Sequence, residues 1–190
     1  MTPSFAIQHA GQAAQDEPLF VFGSLMDMDL LAVVLGDCQH LRHAAAVLPG
    51  YRRCCVEDEV FPIVVQDDIS TVDGLLVHGL TARDLDRILF FEGPAYALLP
   101  CEVDHLDSDR RRRTPARAFF ATALLSPRPQ SWDYAYWQAQ EKPLALNIAA
   151  ETMALYGSVA ASDLSGALWD GIKARAVARL STGEGIRCAA

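Results

Sequence analysis

Three observations predict an α+β fold. Short runs of β-branched and aromatic residues, each bounded by Pro, Gly, Asp or Ser, recur through residues 18–125. Helical spacing of apolar residues takes over in residues 126–190, beyond the segment Ser126-Pro127-Arg128-Pro129. A chain of 190 residues with 51% hydrophobic content can also bury a sizeable core. The organisation expected is a loose N-terminal arm over 1–17, a strand-rich domain over 18–125 and a C-terminal helical extension over 126–190.

The first element is the strand Leu19-Phe20-Val21-Phe22, stopped by Gly23-Ser24. A helix follows, with Leu30, Leu31, Val34 and Leu35 on one face, Asp27 as its N-cap and Gly36 as its stop. Ala44 to Leu48 and Tyr51 to Val56 read as strands around a Pro49-Gly50 turn. Val60 to Val65 and Val72 to Leu80 extend a meandering sheet after a turn at Glu57-Asp58-Glu59. Thr81 and Asp84 fit a capping box, and Leu85, Ile88 and Leu89 give a short helix that delivers Glu92 at its end. Leu98 to Leu106 and Ala116 to Leu124 read as two further strands joined by the polar run Asp107 to Thr114. Past the Pro-rich linker, Trp132, Tyr136 and Trp137 form an aromatic stripe expected to pack in the core. Leu144 to Tyr156 and then Leu164, Leu168, Ile172 and Leu180 continue the helical pattern.

A net charge of −8 gives no overall attraction for a phosphate backbone. The four arginines Arg110 to Arg113 are expected in a solvated hairpin connection beside Asp107 and Asp109, so nucleic acid is not the expected partner. Residues 1–17 show no basic segment followed by an apolar one, and the longest strongly apolar run, Leu30 to Leu35, is too short to span a bilayer. A cytoplasmic protein without a membrane partner is expected. Cys38, Cys54, Cys55, Cys101 and Cys188 lack C-x-x-C spacing and read as reduced thiols. His40 and His43 have no second cluster to complete a metal site, so no metal and no other cofactor is expected.

Two segments can carry chemistry. In Phe22-Gly23-Ser24-Leu25 a strand gives way to a helix through small residues, and successive N–H groups there can hold a carboxylate or a developing oxyanion. The same pattern also serves as an ordinary turn. In Phe90-Phe91-Glu92-Gly93-Pro94-Ala95-Tyr96 one carboxylate sits among aromatic residues at a helix C-terminus. Desolvation and the negative end of the helix dipole both disfavour its ionised form, which raises its pKa towards the range of a general base. The alternative is an exposed Glu before a Gly-Pro stop.

The order Phe22-Gly23-Ser24-Leu25, Leu48-Pro49-Gly50-Tyr51-Arg52-Arg53, Phe61-Pro62, Val72-Asp73-Gly74-Leu75-Leu76 and Phe91-Glu92-Gly93 with Tyr96 resembles the γ-glutamyl cyclotransferase, or AIG2-like, family. The resemblance spans roughly residues 18–125. It implies a small mixed β-barrel with flanking helices and a pocket at the barrel mouth, between the loop of Phe22 to Leu25 and a glutamate matched here by Glu92. It also implies a small-molecule γ-glutamyl substrate, cleaved without a cofactor to 5-oxoproline when the substrate's own α-amine attacks its γ-carbonyl. Glu92 would serve as general acid and base, and the loop N–H groups would stabilise the oxyanion. Phe22 departs from the family's usual tyrosine, which removes one hydroxyl from the loop. Tyr96 can offer a phenol near Glu92 or serve as an amphipathic strand residue.

Ser24 as a nucleophile lacks an adjacent base and the G-x-S-x-G elbow. The competing functions are a lyase of the same chemistry acting on a specialised γ-glutamyl metabolite, and a non-catalytic small-molecule-binding or interaction module on the same fold. The C-terminal helices are expected to pack on the barrel, either covering part of the pocket or making a subunit contact. The pattern assigns no oligomeric state.

Overall fold

A computed structural model of the chain describes residues 17–107, 110–183 and 185–186. The N-terminal arm other than its last residue, together with Asp109 and Cys188, lies outside them. Six strands form one sheet: β1 (Leu19–Val21), β2 (Arg42–Val56), β3 (Pro62–His78), β4 (Tyr96–Asp107), β5 (Arg110–Ala121) and β6 (Pro127–Ser131). Their order is β3-β1-β5-β4-β2-β6, and β2 also pairs with β3, so the first five close on themselves. The β1–β5 pairing is parallel and the others are antiparallel, which makes the closed sheet mixed.

β1 is short but buried throughout, because it has a core on each side. Alternate residues of a strand face opposite ways. Phe20 and Phe22 accordingly join Leu48, Val72, Leu76 and Val103 in one apolar cluster, whereas Leu19 and Val21 join helix residues in another. The run Leu19 to Phe22 is therefore continuously hydrophobic rather than alternating.

Helices flank this ring: α1 (Met28–Leu35), α2 (Ala82–Glu92), α3 (Lys142–Met153) and α4 (Gly166–Thr182). Asp27 caps α1 by accepting from the N–H groups of Asp29 and Leu30. It also meets Lys142 Nζ at 2.8 Å, which ties the start of α1 to the start of α3. The capping box on α2 is present, with the Asp84 N–H donating to Thr81 Oγ1 and the Thr81 N–H to Asp84 Oδ2. His40 Nε2 lies 3.0 Å from the same carboxylate, so His40 is engaged with a helix cap. Trp132 and Trp137 are buried among the helices as expected, but Tyr136 of the same stripe is exposed. Among the described cysteines, all free, Cys54 is buried and Cys38, Cys55 and Cys101 are partly covered.

Four features differ from the sequence reading. Pro49-Gly50 is a bulge inside one long β2: the register to β3 shifts between Pro49 and Tyr51, and Gly50 takes a φ of 79°. The strands read at Val60 to Val65 and Val72 to Leu80 are likewise one continuous β3. Arg110 to Arg113 lie within β5, in register with Asp104 to Asp107 of β4, and Arg113 pairs with Glu102 and Asp104. Asp104 stands opposite Arg113 in this register, and an opposite-charge pair across the ladder favours the strand. Pro127 to Ser131, read as part of a linker, is an exposed edge strand on β2, a position where a missing proline N–H costs no ladder bond.

Candidate functional site

A cavity of about 270 Å³ opens between the end of β1, the end of α2 and the start of α4. Phe22, Gly23, Ser24, Leu25, Glu92 and Tyr96 all line it, so one pocket collects every site residue expected from the sequence.

The loop after β1 is a single tight turn over Ser24–Met26, closed by the Met26 N–H donating to Gly23 O at 3.0 Å. The first N–H groups of such a turn have no acceptor within it. Gly23 packs against Pro62, where an added Cβ would lie 2.9 Å from the proline ring, so only glycine fits. Phe22 and Leu25 are buried, and the Phe22 ring lies 6.3 Å from that of Phe20. The position that departs from the family pattern thus serves as core packing as well as pocket wall.

Glu92 is the last residue of α2. Gly93 follows at φ 57° and ψ −156°, a combination open essentially to glycine alone, and its N–H donates to the carbonyls of Leu89 and Phe90. Thr122 Oγ1 donates to Pro94 O at 3.0 Å and fixes the connection into β4. The Glu92 side chain is partly buried, and among the described residues nothing forms a hydrogen bond or ion pair with its carboxylate. Burial raises its pKa to about 8. An unpaired carboxylate in an apolar wall keeps its proton because ionisation there loses hydration with nothing to replace it.

Tyr96 stands beside it. Its hydroxyl donates to Pro62 O at 2.7 Å, so this phenol braces the strand that supports Gly23. Burial, then the charge of Glu92, then that of Glu59 push its pKa upward, which keeps the hydroxyl protonated.

Glu59, Phe61, Leu164, Ser165, Gly166 and Trp169 also line the pocket. Apart from Phe61, which stands with Pro62 in the motif order, this wall was not singled out from the sequence. Glu59 Oε1 accepts from Trp169 Nε1 at 2.9 Å and from Lys173 Nζ at 2.8 Å. In sequence, Glu59 is one of three consecutive acids in a turn, and nothing local separates it from its neighbours. Trp169 and Lys173 stand four apart, which puts both on one helix face, the only local hint that they act together.

Residues 19–139 match the family model described as gamma-glutamyl cyclotransferase, AIG2-like. The chain belongs to this family. Among curated AIG2-like relatives, AIG2-like protein C of Arabidopsis thaliana is 28% identical over 134 residues, covering 70% of this chain and 74% of that protein. Protein AIG2 C of the same plant is 26% identical over 125 residues, covering 65% and 73%. A solution structure of an Arabidopsis thaliana protein superposes with a TM-score of 0.53 at 25% identity, covering 66% of this chain and 74% of that one. A second Arabidopsis thaliana solution structure gives 0.53 at 20% identity over 75% and 94%. The AIG2-like family and its mixed α and β fold are therefore those the motif order implied, and the general class is that of a γ-glutamyl cyclotransferase-like enzyme. Trp169 and Lys173 fall outside the family-matched segment. Among the described residues, no helix is long and apolar enough to cross a membrane.

Proposed function

We propose that this AIG2-like protein is a γ-glutamyl cyclotransferase in which Glu92 is the general acid and base. The observation that carries the reading is a Glu92 carboxylate without a partner, its pKa raised to about 8, in the same pocket as the turn that follows β1. A base is most effective when its pKa lies near the working pH.

The reaction needs no water. The α-amine nitrogen of the γ-glutamyl substrate attacks its own γ-carbonyl carbon, forming the lactam C–N bond, and Glu92 takes the amine proton. The carbonyl electron pair moves to oxygen, where the free N–H groups of the 23–25 turn stabilise it. Collapse returns that pair, breaks the original amide C–N bond and passes the proton from Glu92 to the departing amine. The products are 5-oxoproline and a free amine. Holding amine and carbonyl at contact distance makes the closure unimolecular, the larger part of the enzyme's task. Tyr96 holds Pro62, and through it Gly23, in place.

The test is 5-oxoproline release from a panel of γ-glutamyl amino acids, γ-glutamyl amines and glutathione, with the intact protein and with Glu92→Gln. Loss of at least about 100-fold in kcat in the variant, with its fold retained, is expected. Release that survives the substitution would remove Glu92 from the base role. No release from any panel member would favour a binding module on the same fold.

A further inference from the structure

The pocket has a second acid that the ring closure does not use. Glu59 carries a side chain only 10% exposed, yet it is part of the pocket lining. Trp169 and Lys173 both hold Oε1, whereas Oε2 is covered from solvent and has no hydrogen-bond partner. A buried acceptor with no donor is costly, and native structures keep few of them.

The position of Glu59 follows from its neighbours. Gly23 rests on Pro62, and Pro62 O is held by Tyr96. The Phe61 ring lies 6.0 Å from that of Tyr96 and 6.3 Å from that of Trp169, and Trp169 donates to Glu59. A chain of contacts thus runs from the turn at Gly23 through Pro62, Tyr96, Phe61 and Trp169 to Glu59. With the head at the turn, a leaving group that runs along this wall reaches Phe61, Trp169 and Glu59, all of which line the same pocket. Among the described residues lining the pocket, the acidic and basic side chains are Glu59 and Glu92, with no lysine, arginine or histidine. Lys173 is already committed to Oε1, so a leaving group with a free carboxylate meets two acids in the lining, whereas an ammonium finds the unpaired Oε2 and two aromatic rings.

We propose that Glu59, preset by Trp169 and Lys173 of α4, forms a leaving-group subsite for an ammonium, and that the preferred substrates are γ-glutamyl conjugates of diamines. This inference rests on the cyclotransferase reading above. One amine of the diamine carries the scissile amide, and the other reaches Glu59 as its charged form. Glu59 lies within the family-matched residues 19–139, whereas the Trp169 and Lys173 that preset it lie on a helix beyond them.

The experiment compares γ-glutamyl conjugates of 1,4-diaminobutane, butylamine and alanine, assayed for 5-oxoproline release. The intact protein is expected to favour the diamine conjugate over the butylamine conjugate by at least about tenfold in kcat/KM, chiefly through KM, and to use the alanine conjugate least. In Glu59→Gln the diamine-to-butylamine ratio is expected to fall to near one. Calorimetric titration of the same conjugates into Glu92→Gln, and into Glu92→Gln combined with Glu59→Gln, reads the subsite without turnover.

Release with no diamine preference in the intact protein overturns the subsite alone, whether or not Glu59→Gln folds. So does a preference that persists in a folded Glu59→Gln. Diamine-selective, Glu59-dependent binding without release from any conjugate sustains the subsite and overturns the cyclotransferase reading. Absence of both release and selective binding overturns both.

Discussion

Glu92 couples activity to stability through one proton. An exposed glutamate releases its proton near pH ~4.3, whereas burial holds that of Glu92 to about 8. Between these values the folded state binds a proton that the unfolded state has lost, so stability falls as pH rises through the window. The contribution is complete below the lower value and gone above the higher one. Glutamine has no proton to lose, so Glu92→Gln is expected to match the wild type near pH 4 and to exceed it above pH 8. The difference should reach about 2 kcal/mol, discounted for the residue's partial exposure, or several degrees in Tm for a chain of this size. Melting curves of both proteins from pH 4 to 9 read it directly, and curves that stay parallel would give Glu92 an ordinary environment. Catalysis needs the opposite protonation state. The kcat/KM of the wild type is therefore expected to climb with pH towards about 8, where the folded protein retains least of this stabilisation.

At the scale of elements, local chemistry was legible wherever it was self-contained. Asp27, Thr81 and Asp84 read as caps because capping joins residues two or three apart, and the structure contains each of those bonds. Pro49-Gly50 and Arg110 to Arg113 read as connections because proline, glycine and like charges discourage strands. Here ladder pairing with β3 and with β4 overrode that tendency. The end of α2 shows what a self-contained element does for the site. Gly93 adopts a backbone conformation closed to other residues, and that reversal sets the direction of Glu92 relative to Tyr96. An added Cβ would meet Leu164 at 3.4 Å, an ordinary contact, so the penalty for Gly93→Ala comes from the backbone rather than from crowding. The variant is expected to lose about 1–3 kcal/mol of stability and to lower kcat more than it raises KM, because the base moves while the turn over 23–25 stays in place. Steady-state kinetics beside denaturant melts separate these effects. An unchanged kcat in a destabilised protein would mean that the turn is structural only.

The whole molecule divides its pocket between a ring of strands and helices that arrive much later in the chain. Glu92 and the Phe22 to Leu25 turn were legible as a pair because each lies in a short motif. Their meeting in one cavity, and the wall contributed by Glu59, Leu164 and Trp169, depend on packing between distant segments. The spacing of Leu164, Leu168 and Ile172 says only that a helix face is buried. The structure shows where that face goes, with Phe90 of α2, Ile148 of α3, Leu164, Ile172 and Ala176 forming one cluster. Two clamps reinforce it: Glu151 accepts from Arg175 at 2.7 Å and pairs with Arg179 at 2.8 Å, and Glu59 accepts from Lys173. Because α4 is held by side chains rather than by the strand ladder, its packing can be weakened without opening the ring. Ile172 is fully buried, and Ile172→Ala should cost about 3 kcal/mol through the cavity it leaves. The wall carrying Trp169 and Lys173 then loosens, while the 23–25 turn keeps its support on Pro62 of β3 and Glu92 keeps the helix end fixed by Gly93. KM is therefore expected to rise several-fold with kcat nearly preserved, and amide exchange should accelerate in α4 before it does in β2 and β3. A variant destabilised to this extent that retains the wild-type KM would show that α4 stabilises the fold without shaping the substrate's exit side.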